Sequence, residues 1–486
     1  MNVPRREKIS AVDTAWLRMD RPSNLMMICG VLLFNERIRF DRLTRIIAGR
    51  FLKFDRFRQR PVERVGAAYW ESVPHFHIAD HVVRIALPAP AGTDELQALV
   101  SGLAATPLDP TRPLWQYHLV ENFESGSAVI ARIHHCYADG IALVRVFMSM
   151  TDAGPKGPPA MPFEPASRRR VADPDDPVAA LMHPLSGVVK LAQKAGTTLI
   201  EKGAAIWSDP AKAVALAEQG GALTAEIAKL ALMPQDSPTR FKGVPGAVKR
   251  VAWADPIRLD EVKAIGKALA ASVNDVLLSC VAGALRAYLV ERGDAVDGAM
   301  IRALVPVNLR PLEKAYKLGN QFGLVFLELP LGIENPVERL YAVRANMVAL
   351  KDSYQPILAL GLLAAMGAGP KVLQEQLLHA LARNASAVMT NVPGPQQRLH
   401  FAGAAIERFL FWVPQSGDIG MGVSILSYAG HVQFGVITDA ALCPDPERII
   451  ERFGPEVEKL VLTTLMAPWP RDGDLDPAVA ERAVTT

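Results

Sequence analysis

The segment from Thr151 to Val248 interrupts an otherwise regular alternation of strand-like and helix-like stretches. It begins with the Pro-rich run GPKGPPAMPFEP, continues with three arginines at 168–170, and ends in helical stretches separated by Gly or Pro. A structureless connection of this length is unusual in a compact protein, so we expect a linker with helices of its own. A chain of 486 residues is also too long for one ordinary core. The sequence therefore predicts two mixed α/β domains (α+β type), 1–150 and 249–470, joined by a helical linker at 151–248, with a flexible tail at 471–486.

The strand and helix patterns on either side of the linker support this division. In the first domain, Met26–Phe34 is a continuous apolar run, typical of a buried strand, and Phe40–Phe57 has apolar residues at helical spacing. Trp115–Val120 and Ala128–His135 alternate around a Gly-Ser turn, which predicts an antiparallel hairpin. In the second domain, the patterns predict a strand from Lys249, helices beginning at Asp260 and Asn274, a strand at 300–309, and later strands at 323–329 and 431–437.

Composition excludes several classes of protein. The chain has 53 basic and 50 acidic residues, which argues against a dedicated nucleic-acid binder. Its four cysteines form no CxxC pair, so neither a disulfide framework nor a zinc site is indicated. The N-terminus lacks the apolar region of a signal peptide, and no uncharged apolar run reaches 18 residues. These features favour a soluble or peripheral protein of the cytoplasm.

One predicted linker helix has two possible roles. Val188–Trp207 places apolar residues on one helical face and mainly Lys, Thr and Glu on the other. Such a basic amphipathic helix, ending in a Trp, can lie on a membrane or lipid surface, or it can pack against the protein's own domains. The sequence leaves both roles open and favours packing.

The sharpest local feature is the run HHCYADG at 134–140. A metal ion needs both histidines on one side, but neighbouring side chains on a strand point to opposite faces. The two histidines can be structural residues at a strand end. Alternatively, His135, where strand becomes loop, can titrate near neutral pH and accept a proton from a hydroxyl or amine. Asp139, next to Gly140, can fix the loop by pairing with an arginine.

This run resembles the HHxxxDG signature of the chloramphenicol-acetyltransferase-like superfamily of CoA-dependent acyltransferases. Further stretches are similar to its bacterial wax ester synthase/diacylglycerol acyltransferase branch, and they occur in order over most of the chain: DTAWL at 13–17, PSNLMM at 22–27, PLW at 113–115, SVNDVLL at 272–278, VPVNLR at 305–310, GNQFG at 319–323 and TNVPGP at 390–395. The DFGWG motif of the plant branch is absent, and no carrier module accompanies the chain, as a condensation domain would require.

The resemblance implies a fold of two chloramphenicol-acetyltransferase-like domains with the active site at their interface. It also implies that a long-chain fatty acyl group passes from acyl-CoA to a diacylglycerol or a long-chain alcohol, giving triacylglycerol or wax ester. His135 is then the general base, and the transfer is direct, without a covalent acyl-enzyme. Acyl-CoA is a co-substrate, and no metal or redox cofactor is implied. Such substrates would bring the protein to a membrane or a lipid inclusion as a peripheral protein.

The resemblance also assigns roles to other residues. His134 is structural, and Asp139 pairs with Arg58 or, as a second choice, Arg310. Gly140 shapes the site, and Trp115 belongs to the core or to a tunnel wall. Two further site residues come from the Asn-Asp motif.

Asn274 is either the N-cap of its helix or a residue that polarises the transferring group, with Asp275 orienting it. Two other functions remain open: acylation of a polyketide or another secondary-metabolite hydroxyl, and a non-enzymatic protein that binds lipid inclusions. The HHxxxDG and Asn-Asp pairs weigh against the second, because a binder needs no base.

Overall fold

The computed structural model describes residues 6–64, 67–155, 157, 159–160, 233–309, 318–351, 353, 355–368 and 371–467. The helix predicted at 188–207 and the tail predicted at 471–486 lie outside these residues. The helices are α1 (Ala11–Arg18), α2 (Phe40–Gly49), α3 (Thr93–Ala104), α4 (Gly140–Met150), α5 (Leu259–Ala268), α6 (Val273–Glu291), α7 (Pro336–Lys351), α8 (Gln355–Ala368), α9 (Lys371–Ala382) and α10 (Glu447–Met466). The strands are β1 (Arg6–Lys8), β2 (Met27–Phe34), β3 (Gln59–Arg64), β4 (Ala67–Ser72), β5 (Val82–Ile85), β6 (Trp115–Val120), β7 (Ser127–His134), β8 (Lys249–Trp253), β9 (Ile257–Arg258), β10 (Met300–Asn308), β11 (Phe322–Pro330), β12 (Ala387–Pro393), β13 (His400–Phe401), β14 (Ala404–Ala405), β15 (Arg408–Trp412), β16 (Met421–Tyr428) and β17 (His431–Asp439).

Two mixed sheets form the framework. The first has the order β15-β2-β7-β6-β5, and the second has the order β11-β10-β12-β16-β17-β8, with β9 paired to β17. In the first sheet, β6 and β7 form the predicted antiparallel hairpin, with Trp115 opposite Ile133. In the second sheet, the central pairs β10–β12 and β12–β16 are parallel, and the outer pairs are antiparallel. Each sheet covers an apolar core of its own, as expected of two mixed α/β domains.

The C-terminal half of the chain contributes a strand, a helix contact and core residues to the N-terminal half. β15, from the C-terminal half, pairs antiparallel with β2 at the edge of the first sheet. Helix α8 packs on α1 so closely that a Cβ atom at Gly367 would collide with the backbone of Ala11. The core of the first half accordingly includes Phe322, Leu362 and Phe401 from the second half. Residues distant in sequence therefore hold the N-terminal sheet and helix α1 in place.

One predicted helix is shorter than expected. The pattern from Phe40 to Phe57 suggests a single helix, but α2 ends at Gly49 and two 3₁₀ turns follow. In a continuous helix, residues 51 and 57 would point about 120° apart. The turns instead allow the rings of Phe51 and Phe57 to stack at 3.9 Å in the core. Aromatic packing thus overrides the local helical pattern.

Helix α6 is long and apolar enough to cross a membrane by length and composition. In the structure it is a core helix, because 72% of its most apolar window is buried inside the protein. It packs against α7 and α10 beneath the second sheet.

A buried ion pair ties these three helices together. Arg339 on α7 donates through Nε to the carbonyl of Ser279 on α6 at 3.1 Å, and through Nη2 to the carboxylate of Glu456 on α10. Both charged side chains are almost completely buried. Gly283 leaves the space for the pair, since a Cβ atom there would collide with both side chains.

We expect Glu456→Ala to destabilise the protein strongly, because it leaves the Arg339 guanidinium buried without its carboxylate. The expected loss in the free energy of unfolding is about 3–5 kcal/mol. Glu458→Ala, on the exposed face of the same helix, is the matched control and should change it by less than about 0.5 kcal/mol. Urea denaturation followed by circular dichroism measures both. Equal losses in the two variants would contradict the importance of the buried pair.

Candidate active site

His135 lies immediately after β7, at the end of the first sheet. Its backbone N–H donates to the carbonyl of Met26 at 2.7 Å, which extends the pairing of β7 with β2 beyond the ends of the two strands. The imidazole stacks on the indole of Trp16 with ring centroids 4.2 Å apart, and it contacts Phe322 at 5.6 Å. Residues from α1 and β11 therefore pack against one buried imidazole.

Residues just before β11 hold the loop that follows His135. The Asn320 side chain donates through Nδ2 to the carbonyl of His135 at 2.8 Å. The N–H of Gly319 donates to the carbonyl of Tyr137 at 3.1 Å, and its carbonyl accepts from the N–H of Asp139 at 3.4 Å. The His135–Asp139 loop is thus fixed by a segment of the C-terminal half.

The carboxylate of Asp139 joins the same contact. Its Oδ1 caps α4 by accepting from the N–H of Ala142 at 2.9 Å, and its Oδ2 accepts from the N–H of Gln321 at 3.0 Å. The expected pairing with Arg58 is wrong, because that side chain is exposed whereas Asp139 is buried against these amides. The second choice, Arg310, lies outside the described residues.

Asp13 lies on the other side of Asn320. Its Oδ1 accepts from both the backbone N–H and the side-chain Nδ2 of Asn320, at 2.9 and 2.7 Å. Its Oδ2 accepts from the hydroxyl of Ser10, the N-cap of α1, at 2.7 Å. Burial raises the pKa of Asp13, and these hydrogen bonds oppose the rise. One amide side chain therefore joins a buried carboxylate to the backbone of His135.

Burial also determines the charge of His135. It lowers the pKa of the imidazole to about 4, although the Asp139 carboxylate acts in the opposite direction. The ring is therefore neutral at pH 7. Its Nδ1 is buried with no hydrogen-bond partner among the described residues, whereas Nε2 is not sealed in this way. The neutral ring has one nitrogen without a proton, which can accept one.

His134 faces a different environment. Its Nδ1 accepts from the N–H of Cys136 at 3.2 Å, so the proton of the neutral ring is assigned to Nε2, 3.8 Å from Oδ1 of Asp20. Burial lowers its pKa to about 3. These contacts are those of a residue that supports the turn.

Cys136 is not activated as a nucleophile. Its side chain is fully buried, and burial raises the pKa of the thiol well above its usual value. The thiolate is the nucleophilic form of cysteine, and this environment disfavours it.

Two of the expected site residues have clear structural surroundings. Trp115 is only 1% exposed, donates from Nε1 to the carbonyl of Phe57 at 2.7 Å and stacks on His81 at 4.3 Å. These are the contacts of a core residue, which is one of the two places that the resemblance allows for Trp115. Gly140 is exposed at the start of α4, where a Cβ atom would meet no other atom within 4 Å.

The Asn-Asp pair differs from expectation. Ser272 is the N-cap of α6, and Asp275 completes the capping box by accepting from the N–H of Ser272 at 2.8 Å. Asn274 is therefore not the cap, and the Asp275 carboxylate serves the cap instead of orienting Asn274. The exposed Asn274 accepts through Oδ1 from Nδ2 of Asn391 at 2.9 Å. Its own N–H₂ group consequently points away from Asn391.

Strand pairing relates this amide pair to the imidazole. Asn391 lies near the end of β12, whose neighbour β10 ends at Asn308, directly opposite Phe322 on β11. Phe322 contacts the ring of His135. The Asn274–Asn391 pair and His135 share one end of the second sheet.

The structure brings four residues to this region to which no sequence pattern assigned a role: Asp13, Trp16, Asn320 and Asn391. The spacing of Asp13 and Trp16, three residues apart on a short helix, is a signal that they share a face. No local pattern connects Asn320 with His135.

Models of one protein family match most of the chain. The family model of the wax ester synthase/diacylglycerol acyltransferase catalytic domain matches residues 9–277, and that of the WS/DGAT C-terminal domain matches residues 318–460. A Mycobacterium tuberculosis protein named a putative diacylglycerol O-acyltransferase is 26% identical over 478 residues, 94% of this chain and 90% of its own. Another, named a probable diacylglycerol O-acyltransferase, is 28% identical over 84% of each chain.

A solved structure is similar in fold. The wax ester synthase/diacylglycerol acyltransferase from Marinobacter aquaeolei VT8 matches with a TM-score of 0.66 and 21% identity, over 94% of this chain and 100% of that one. The predicted fold of two mixed α/β domains is confirmed.

We expect Gly319→Ala to impair activity as well as stability. Gly319 has a φ of +110°, and a Cβ atom there would lie 3.3 Å from Oδ2 of Asp13, so alanine has to displace the segment that holds His135. Gly298→Ala is the matched control, because its φ is +64° and its surroundings are open. Each substitution should cost about 1–2 kcal/mol of stability. Only the first should lower kcat, measured with protein shown to be folded; equal activities would contradict the contact's role.

Proposed function

The chain belongs to the wax ester synthase/diacylglycerol acyltransferase family, and we propose that it transfers a long-chain fatty acyl group from acyl-CoA to a diacylglycerol or a long-chain alcohol, with His135 as the general base. The family makes the protein an acyltransferase that forms triacylglycerol or wax ester. The neutral, buried imidazole of His135, held by both halves of the chain, is the observation that carries the assignment of the base.

In the proposed reaction, the acceptor hydroxyl approaches Nε2 of His135. The hydroxyl oxygen forms a bond to the thioester carbonyl carbon while its proton passes to Nε2. The tetrahedral intermediate then collapses, the carbon–sulfur bond breaks, and the imidazolium returns the proton to the leaving thiolate of CoA. The products are the ester and free CoA, and the imidazole is again neutral.

A donor is needed for the negative charge on the tetrahedral intermediate. We assign this role to the side-chain N–H₂ of Asn274, since its Oδ1 is already occupied by Asn391 and the amide is thereby held in one orientation. A preorganised donor of this kind typically contributes about 10²–10³ in kcat. The expected alternative role as a helix cap is filled by Ser272.

Direct transfer accounts for the chemistry without an acyl-enzyme. The buried thiol of Cys136, with its raised pKa, is a poor nucleophile. The only co-substrate that the reaction requires is acyl-CoA.

Both substrates carry long hydrocarbon chains and partition into bilayers and lipid inclusions. The protein is accordingly assigned to the cytoplasmic side of such a surface, as a peripheral protein. The segment at 188–207, basic and amphipathic in sequence, is a candidate for that contact.

We expect His135→Ala to abolish acyl transfer in a folded protein. Removal of a general base typically costs about 10²–10⁴ in rate. The measurement is thiol release from palmitoyl-CoA, with hexadecanol and dioleoylglycerol supplied in parallel. His75→Ala, at an exposed position, is the control, and Cys136→Ala should also retain activity.

The outcomes separate the candidate functions. Release that requires an acceptor and fails with His135→Ala supports the proposal, and the ratio of the two rates distinguishes wax synthesis from triacylglycerol synthesis. Near-normal release by a folded His135→Ala variant would refute the base. No release with either acceptor would favour a specialised hydroxyl substrate or a lipid-binding role.

The pH dependence provides a separate prediction. Because burial lowers the pKa of His135 to about 4, the base stays unprotonated as the pH falls from 8 to 5. The acid limb of kcat/KM should therefore lie near pH 4. An acid limb near pH 6.5, the ordinary value for histidine, would contradict this environment.

Stability must be recorded at each pH. His118 and His134 also have lowered pKa values, about 4 and about 3. Unfolded histidines bind protons below pH 6.5 while these remain neutral, so stability falls as the pH decreases. Circular dichroism at each pH separates unfolding from titration of the base.

A further inference from the structure

We infer that Asp13 is a positioning residue for the acyl-transfer reaction, acting on His135 through the side chain of Asn320. The inference rests on the proposed role of His135 and adds a requirement that this role does not itself contain. Asp13 and Asn320 are 307 positions apart in the chain and meet only in the folded protein.

The first step of the argument is the path of hydrogen bonds. Oδ1 of Asp13 accepts from the backbone N–H of Asn320 at 2.9 Å and from its Nδ2 at 2.7 Å. The same Nδ2 donates to the carbonyl of His135 at 2.8 Å. An amide nitrogen has two hydrogens, and each of these acceptors takes one. The carboxylate thus fixes the orientation in which Asn320 holds the backbone of His135.

The second step concerns the imidazole ring. Trp16, one turn after Asp13 on α1, stacks on the ring of His135 with centroids 4.2 Å apart and planes inclined by 21°. Asp13 anchors α1 to Asn320, which holds the His135 backbone. Trp16, on the same helix, stacks on the His135 ring. The ring plane and the backbone of the base are therefore set by one helix.

The third step asks whether capping alone explains the residue. An acidic side chain in the first turn of a helix is common and usually exposed, as Asp94 is in α3. Asp13 is instead 7% exposed, and a carboxylate is costly to bury. Two of its hydrogen bonds go to Asn320, outside its own helix. A capping role does not require that contact.

The test compares Asp13→Ala with Asp13→Asn in the full-length protein, using palmitoyl-CoA with hexadecanol and dioleoylglycerol as acceptors. Asparagine keeps an oxygen that accepts from Asn320 and an N–H₂ that donates to Ser10, so it preserves the geometry without the charge. Asp13→Ala should lower kcat on the order of 10²-fold with little change in KM, since misplacing a catalytic group has effects of this size. Asp13→Asn should restore most of the rate.

Two matched variants exclude a merely structural effect. Asp94→Ala removes a first-turn acid from α3, and Ser10→Ala removes the N-cap of α1. Both should retain kcat much closer to the unaltered protein than Asp13→Ala does. If Asp13→Ala does not fold, Asp13→Glu takes its place: it keeps the carboxylate but moves it by one methylene group away from its position against Asn320, and it should also lower kcat; a folded Asp13→Glu variant with unchanged kcat would contradict the inference.

Three results would overturn the inference: a folded Asp13→Ala variant with unchanged kcat, an Asp13→Asn variant as impaired as Asp13→Ala, or an equal loss in Ser10→Ala. Its failure is distinguishable from failure of the proposed base. If the base is wrong, His135→Ala remains active; if only the positioning is wrong, His135→Ala is inactive while Asp13→Ala is active. In the double variant His135→Ala/Asp13→Ala, the second substitution should have no further effect on the rate.

Discussion

The hydrogen bonds between residues 319–321 and the His135–Asp139 loop are the contact on which the rest of the site depends. Each is worth only about 1 kcal/mol in net stability, but breaking one leaves a buried polar group without a partner, at a cost of about 1–3 kcal/mol. Asn320 and Gly319 pair with the loop through its carbonyls and amides, and Asp139 completes the pairing. The position of the loop is therefore determined at several points at once, by residues from the other half of the chain.

The same enclosure sets the electrostatics of His135, the proposed base. Packing between Trp16 and Phe322 excludes water from His135, which lowers its pKa and keeps it neutral. A base with a pKa of about 4 has a smaller intrinsic tendency to accept a proton than free imidazole, since proton transfer follows the pKa. Accurate positioning of the imidazole against the substrate hydroxyl must therefore compensate for its low basicity. In the proposed mechanism, the contacts that fix the backbone and ring of His135 therefore bear directly on the rate.

Local sequence patterns predicted local structure, but they did not predict the contacts between segments that are distant in the chain. The β6–β7 hairpin and the start of α4 at Asp139 follow from alternation and turn residues within a few positions. The capping box from Ser272 to Asp275 was equally readable, and the alternative that made Asn274 the N-cap overlooked it. The contact of Asp13 with Asn320 and the pairing of β15 with β2 join segments hundreds of residues apart. The hydrophobic periodicity of a single segment therefore cannot predict them.

The composition of α8 also has its explanation in this arrangement. In the sequence it lies in the longest apolar run, rich in Gly and Ala, which by composition alone resembles a short membrane segment. In the structure α8 packs on α1, and Gly367 meets the backbone of Ala11 so closely that no larger residue fits. Small residues in α8 therefore set the position of α1, the helix that carries Asp13 and Trp16. The C-terminal half thus positions His135 in two ways: Asn320 holds its backbone, and α1, held by α8, carries the Trp16 ring that stacks on its imidazole.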